Sequence, residues 1–225
     1  MDGYDNPQND GVRETSAKNV EPKEKSKYPA QRMVWLGMTS KGTGKLHIIP
    51  AGTTEDGNYY LKRILKKDIP EITIRVEDGE RIDEKVLFDD VDDWFWEHDY
   101  SPPHGTIIAN DYLTENVPAH NCLLPSRKYE ENWMAAKLDD VIPIERLWAI
   151  WCKDVYAPPV PNNIHSLILR IRKAHRNTTV ETLTKLVHQI LAKLEEIYRL
   201  KGGRIHPSWD YQKSKFKCKC DVCSQ

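Results

Sequence analysis

Two carboxylates stand where chemistry at phosphorus could be done. Asp99 closes the aromatic run Trp94–Asp99, WFWEHD, and is followed by Ser101-Pro102-Pro103-His104, so it falls at the C-terminal end of an expected strand. Glu145 falls in the first turn of an expected helix opened by Pro143, with Asp140 shortly before it. A strand end and a helix start can bring carboxylates together on a hard divalent cation, because Mg²⁺ takes oxygen ligands. Two such ions clamped by carboxylates are the usual device for in-line displacement at phosphorus. Each residue also has a plainer reading, Asp99 as a turn residue and Glu145 as a partner of the helix dipole.

Other groups are weighed the same way. Cys218, Cys220 and Cys223 offer three thiolates, one short of a structural zinc site, with His206 as a fourth donor if the chain folds back. The CxxC…CxxC spacing is absent, so a reduced tail is the plainer reading. The seven tryptophans invite a stacking role on bases, but Trp148 and Trp151 lie on an apolar helical stripe and Trp94 and Trp96 share one side of a strand, which points to core packing. Asp89, Asp90, Asp92 and Asp93 read as a solvated loop.

The elements that must position these residues follow from periodicity. Arg32–Ser40 reads as a mostly apolar strand with little alternation, followed by a turn at Lys41-Gly42-Thr43-Gly44 and a second strand at Lys45–Pro50, a hairpin. Thr54–Lys67 has Tyr60, Leu61, Ile64 and Leu65 at helical spacing and is ended by Pro70. Residues 71–93 fit either two short strands around Asp78-Gly79 or an insertion loop. Pro102 and Pro103 break the aromatic strand, and Thr106–Asn116 reads as a helix with Ile107, Ile108, Tyr112 and Leu113 apolar.

Pro143 is placed at the first position of the next helix, where its missing N–H costs nothing, and Ile144, Leu147, Trp148 and Trp151 form its stripe. Ile164–His175 is amphipathic through Leu167, Ile168, Ile171 and Ala174. Val180–Leu200 reads as one long helix, with Thr178 and Glu181 as a capping box and Gly202-Gly203 as its stop signal. Residues 1–30 read as a flexible N-terminal segment and 208–225 as a Cys/Lys-rich tail.

The chain of 225 residues is 39% apolar and 30% charged, the composition of one ordinary domain with tails. Its net charge is −1, so bulk electrostatics announces no nucleic-acid binder. The distribution is uneven, with acids concentrated in 69–100 and Lys and Arg in 165–217, including Arg170, Arg172, Lys173, Arg176, Lys185, Arg199 and Arg204. A basic third can hold phosphates; solvated helix faces are the plainer account. No secretory or long apolar segment is present, which predicts an intracellular chain with reduced thiols and no membrane partner; no small-molecule substrate is expected either.

Seven landmarks in order resemble the catalytic domain of mariner-like DNA transposases of the DDE superfamily, over roughly residues 2–207. EHDYSPPH at 97–104 resembles the family's QQDGAPPH, and LDDVIPIERLW at 138–148 resembles SPDLNPIERLW. RMVWLGMTSKG is similar to the family's VMVWGGIS-type strand, and DGYDNPQND to the stretch after its first catalytic strand. DVYAPPVPNNIHSLILRIRKA, ETLTKLVHQI and KGGRIH follow in the family's order. The resemblance implies an α/β, ribonuclease-H-like fold over 31–207, a mixed sheet flanked by helices with a helical C-terminal part. It implies a Mg²⁺- or Mn²⁺-dependent nuclease and strand-transfer centre, DNA as partner and a nuclear location. It makes Asp99 the second catalytic, metal-binding carboxylate and Glu145 the third. Asp140 becomes a structural or supporting acid and His104 a supporting residue.

The departures shape the expected function. The segment that would hold the family's first catalytic Asp and strand has no counterpart; Asp2, Asp5 and Asp10 do not fall in its Asp-Glu pattern. Glu97-His98 replaces Gln-Gln, Tyr100 replaces Gly, Leu138-Asp139 replaces Ser-Pro, and Ile142 replaces an Asn that caps by side-chain hydrogen bonds. Residues 126–132 fit the family poorly, and no helix-turn-helix reader is present. The expectation is a remnant of a transposase catalytic domain, inactive in this chain, with weak or vestigial DNA binding and a homodimer left open. The alternative is a non-catalytic module that binds nucleic acid or protein through the basic helices of 164–204. A fragment that folds poorly is the third option.

Overall fold

The computed structural model describes residues 30–67, 76–77, 80–81, 94–99, 101–117, 122–123, 141–206 and 208–216. The expected N-terminal segment, Pro70, the Asp89–Asp93 run, Tyr100, residues 126–132, Asp139, Asp140 and the cysteines of the tail lie outside them. The described chain is mixed α/β and about half helical.

The N-terminal hairpin forms as expected. Strand β1 (Val34–Trp35) pairs antiparallel with β2 (His47–Ile48), and a Met38–Thr43 bridge carries the pairing toward the turn. The two faces of the hairpin serve different cores. Val34, Leu36, Met38, Leu46 and Ile48 pack on one, and Trp35 and Ile49 on the other. A strand pair covered on both faces has no polar side to show, so its sequence carries little alternation.

The first core is closed by α1 (Gly57–Tyr59), which runs on as a π-helical segment, Tyr60–Leu65, and by α2 (Ile107–Asn116). Asp56 caps α1 by accepting a hydrogen bond from the Tyr59 amide, so the helix starts three residues later than its apolar spacing suggested. The wider π turn puts Tyr60, Ile64 and Leu65 all inside the core. Gly57 lies against Thr106, where a Cβ would come within 2.5 Å of the threonine hydroxyl. Helix α2 is rotated from its expected orientation. Ala109, Asn110 and Leu113 are buried, while Ile107 and Ile108 face outward. The one-turn-apart row Ala109–Leu113, continued by Val117, joins the core that holds Tyr60, Ile64, Leu65, Trp94 and Trp96, and its helix packs on α1 and the π-helical segment.

Strands β3 (Val76–Glu77) and β4 (Glu80–Arg81) pair antiparallel, as the two-strand reading of 71–93 expected; the rest of that segment lies outside the described residues. Strand β5 (Trp96–Glu97) pairs in parallel with β6 (Cys122–Leu123), and α2 is the crossover between them. β6 has no sequence signal of its own, because two residues leave no period to read.

The second core is helical. α3 (Pro143–Val155) buries Leu147, Trp151 and Val155 against Leu167, Ile171 and Ala174 of α4 (Ile164–Asn177) and Leu183 and Leu186 of α5 (Val180–Val187). The Trp151 indole N–H donates to Thr178 Oγ1 at 2.9 Å. The hairpin turn is tied to this layer, since Thr184 donates to the Ser40 carbonyl at 2.8 Å and Thr43 Oγ1 lies 3.1 Å from His175 Nε2.

The expected single helix over Val180–Leu200 is two helices, α5 and α6 (Ile190–Arg199), separated at His188-Gln189. The shared stripe fails there. Leu191, Leu194 and Tyr198 are exposed, so past the break the apolar face no longer points at the core. The cap is Thr179, whose hydroxyl accepts from the Thr182 amide; Thr178 instead ends α4, and Glu181 pairs with Lys185. The stop signal holds. The Gly202 amide donates to the Ile197 carbonyl and the Lys201 amide to Tyr198, with Lys201 at φ 52° and Gly202 at φ 84°.

Candidate active site

Asp99 lies two residues beyond β5, at the C-terminal end of a strand in a parallel pair, the edge where open α/β sheets bind ligands. The period of the strand decides what surrounds it. Trp94, Trp96 and His98 point into the first core, and Phe95 points out. Trp94 and Trp96 are therefore core residues, as their shared side implied.

The Ser101–Gly105 turn folds back onto Asp99. The Ser101 amide donates to Asp99 Oδ1 at 2.9 Å, and His104 Nδ1 approaches the same oxygen at 2.6 Å. His104 is nearly buried, whereas the Asp99 side chain keeps 40% of its surface in solvent. The His104 hydrogen bond, more than the opposing burial, holds the Asp99 carboxyl below the usual range, and the Ser101 amide adds to it. Asp99 is an anion at neutral pH with one oxygen pinned.

Behind this pair stands a buried aromatic cluster. The His98 and His104 rings stack with centroids 4.9 Å apart and 8° between planes, and the Tyr60 ring lies 4.4 Å from His104. Tyr60 Oη lies 3.3 Å from His98 Nδ1, while His98 Nε2 is buried with no hydrogen-bond partner. Burial, with the His104 charge adding to it, pushes the His98 imidazole down to about 3, so His98 is neutral across the physiological range.

Glu55, in the loop before α1, joins the same electrostatic neighbourhood. Burial raises its carboxyl, His104 and His47 oppose that, and Asp99 reinforces it. Its Oε1 is buried without a partner. Glu97 is raised by burial alone. Sequence reading missed Tyr60, His98 and Glu55 as members of this site. The available signal was the period of 2 that puts His98 inside beside Trp96; nothing local marks Glu55.

Glu145 occupies the first turn of α3, two residues after Pro143, as expected. Its helix is entered through Ile142, a buried residue whose side chain makes no capping bond. Asp99 is placed by the first core and Glu145 by the second, and the β1–β2 hairpin is the element common to both. Among the described residues no group of three or more His, Cys, Asp or Glu side chains is arranged to hold a metal ion.

Part of the basic third is committed to structure. Arg170 donates to the carbonyls of Val155, Ala157 and Pro159 and so closes the C-terminal end of α3. Lys185 pairs with Glu181 at 2.9 Å, Arg199 with Glu196 at 2.6 Å, and Lys213 with Asp210 at 3.7 Å. His206 Nδ1 lies 2.6 Å from Ser208 Oγ. Among the described residues no helix is long and apolar enough to cross a membrane.

No protein-family model matches the chain, and no curated protein matches it.

Proposed function

We propose that the chain is a ribonuclease-H-like domain of mariner-like transposase descent, acting in the nucleus, whose carboxylate centre is catalytically silent in this chain. The observation that carries the reading is the placement of Asp99. It is an ionised carboxylate at the C-terminal end of a parallel strand, with one oxygen fixed by His104 from the same SPPH turn. Glu145, at the head of α3, is the second acid of the proposed centre.

The donor set decides what the centre can do. A two-ion centre needs carboxylates that bridge both metals, and the described residues do not supply such a set. Two carboxylates completed by water suit a single, weakly held Mg²⁺ or Mn²⁺, since Mg²⁺ binds proteins through one or two carboxylates and keeps several waters. What remains for the chain's own residues is to hold Asp99 charged and oriented, which His104 and the Ser101 amide do.

The test is a nicking assay on supercoiled plasmid with Mg²⁺ or Mn²⁺. The 225-residue chain is expected to give no more cleavage than its Asp99→Ala variant. Robust metal-dependent cleavage that Asp99→Ala abolishes would overturn the assignment of a silent centre.

A further inference from the structure

The side of α6 that turns away from the rest of the fold is apolar. Leu191, Leu194 and Tyr198 are 65%, 40% and 86% exposed, while Ala192 and Lys193 are the buried residues of the helix. Spacings of three and four put the three exposed side chains in one row. Among the described helices no other exposes three large apolar side chains in such a row. Half-buried Ile190 and Ile197 border it. On the Glu195 side the row is flanked by residues 208–216. That segment is held in place by Tyr211 Oη, which donates to the His188 carbonyl, and Ser214 Oγ, which donates to Glu195 Oε2, each at 3.3 Å. Lys215, next to Ser214, is exposed, and so is Lys201, whose amide donates to the Tyr198 carbonyl at the end of the row. Among the described residues no carboxylate pairs with either lysine at salt-bridge distance.

We infer that this face of α6 is a docking seam for an acidic amphipathic helix of a partner protein. Apolar side chains at i, i+3 and i+7 are the anchors by which one helix is recognised by another polypeptide. The row has the width of a helix-pair seam and not that of the broad stripe a helix shows to a core. A lipid surface fits worse, because interfacial helices sink a wide apolar face into the headgroup boundary, and here residues 208–216 stand along one side of the row. The charge at the border selects the partner. Glu195 is engaged by Ser214, which leaves Lys201 and Lys215 as the open charges. Charges flanking an apolar seam set partner choice, so these two call for acidic residues beside the partner's apolar positions. The inference stands on α6 and the segment beside it and not on Asp99 or Glu145, so either reading can fail without the other.

The experiment is fluorescence anisotropy of two labelled three-heptad helical peptides against the full chain. Both carry leucine at the a and d positions. One has glutamate at the flanking e and g positions and the other lysine, and the like charges keep each peptide from pairing with itself. Wild type is compared with Leu191→Ser/Leu194→Ser/Tyr198→Ser and with Ile107→Ser/Val160→Ser/Leu169→Ser. The second triple removes three exposed apolar side chains from other surfaces. Thermal melts establish that both triples are folded. The acidic peptide is expected to bind wild type and the control triple alike. It should bind the α6 triple at least about tenfold more weakly, because a few anchors carry most of the energy of such contacts. The lysine peptide is expected to bind wild type about fivefold more weakly than the acidic one, the bordering ion pairs being exposed. Absence of acidic-peptide binding, equal losses from both triples, or equal affinity for the two peptides would overturn the inference. So would a dimer in sedimentation that only the α6 triple dissociates, which would give the row to a second copy. Binding to anionic vesicles that only the α6 triple abolishes would overturn it too, in favour of a bilayer.

Discussion

His104 Nδ1 lies 2.6 Å from Asp99 Oδ1, the two residues facing each other across the Ser-Pro-Pro turn that follows β5. The contact makes His104 a positioning residue. Removing it takes away the first cause of the lowered Asp99 carboxyl. In His104→Ala the Asp99 pKa is expected to rise toward the ordinary carboxylate value, read from the ¹³Cγ shift over an acid titration. A folded pKa below the unfolded one stabilises above the unfolded value and loses that contribution as pH falls through the folded one. The stability gap between wild type and variant that comes from this pair should therefore be open at pH 7 and narrow in the acid limb below about pH 4. An unchanged Asp99 titration would contradict the pairing.

His98 loses stability in the same direction on acidification, but in a higher pH window. It is buried neutral at about 3, so between that value and its ordinary 6.5 the unfolded chain binds a proton that the folded chain refuses. Stability falls as pH drops through this window, at up to about 1.4 kcal/mol per pH unit, or roughly 2 kcal/mol between pH 6.5 and 5. Urea unfolding at the two pH values measures it. His98→Gln should flatten the dependence; a variant as acid-sensitive as wild type would assign the loss to other groups.

Arg170 and Arg172 are two residues apart on α4 and should behave as different kinds of residue. Arg170 holds three carbonyls at the end of α3, and hydrogen bonds to a charged donor contribute about 1.5–3 kcal/mol each at most. Arg170→Ala is expected to cost about 1–3 kcal/mol in chemical denaturation. Arg172→Ala, on an open surface, should stay within about 0.5 kcal/mol. Equal costs would show that the cap is not formed in solution.

Gly57→Ala tests the approach of α1 to the start of α2. The added Cβ meets both the hydroxyl and the methyl of Thr106 inside 3 Å, so the two segments must separate. Overpacking of this kind costs about 1–3 kcal/mol. The double variant Gly57→Ala/Thr106→Ala removes the hydroxyl and methyl but keeps the Thr106 Cβ at 2.8 Å, so it should recover part of that loss. Failure of the second change to restore stability would place the strain elsewhere.

The hairpin and the helices around Leu147 and Ile171 were legible because each presents an apolar set with a clear period or a turn signal, and Asp99 and Glu145 were placed at a strand end and a helix start accordingly. Other features were not legible, for physical reasons. α2 turns its isoleucines outward because the row through Ala109 and Leu113 is the one that enters the core beside α1 and the π-helical segment, a tertiary choice that propensity does not encode. The break at His188-Gln189 carries no proline or glycine to announce it. The same goes for the site. His98 stacks on His104, and Glu55 enters their neighbourhood from a loop more than forty residues away in sequence, so only the folded chain brings them together.

The central claim is that Asp99 and Glu145 face one cation pocket. Paramagnetic broadening by sub-stoichiometric Mn²⁺ tests it most directly, followed at the Ser101 amide beside Asp99 and at the Glu145 and Arg146 amides of α3. The account predicts that both groups of signals broaden together, and that Asp99→Asn and Glu145→Gln each abolish the effect at both places. Broadening confined to one group, or at the Ser101 amide untouched by Glu145→Gln, would contradict it.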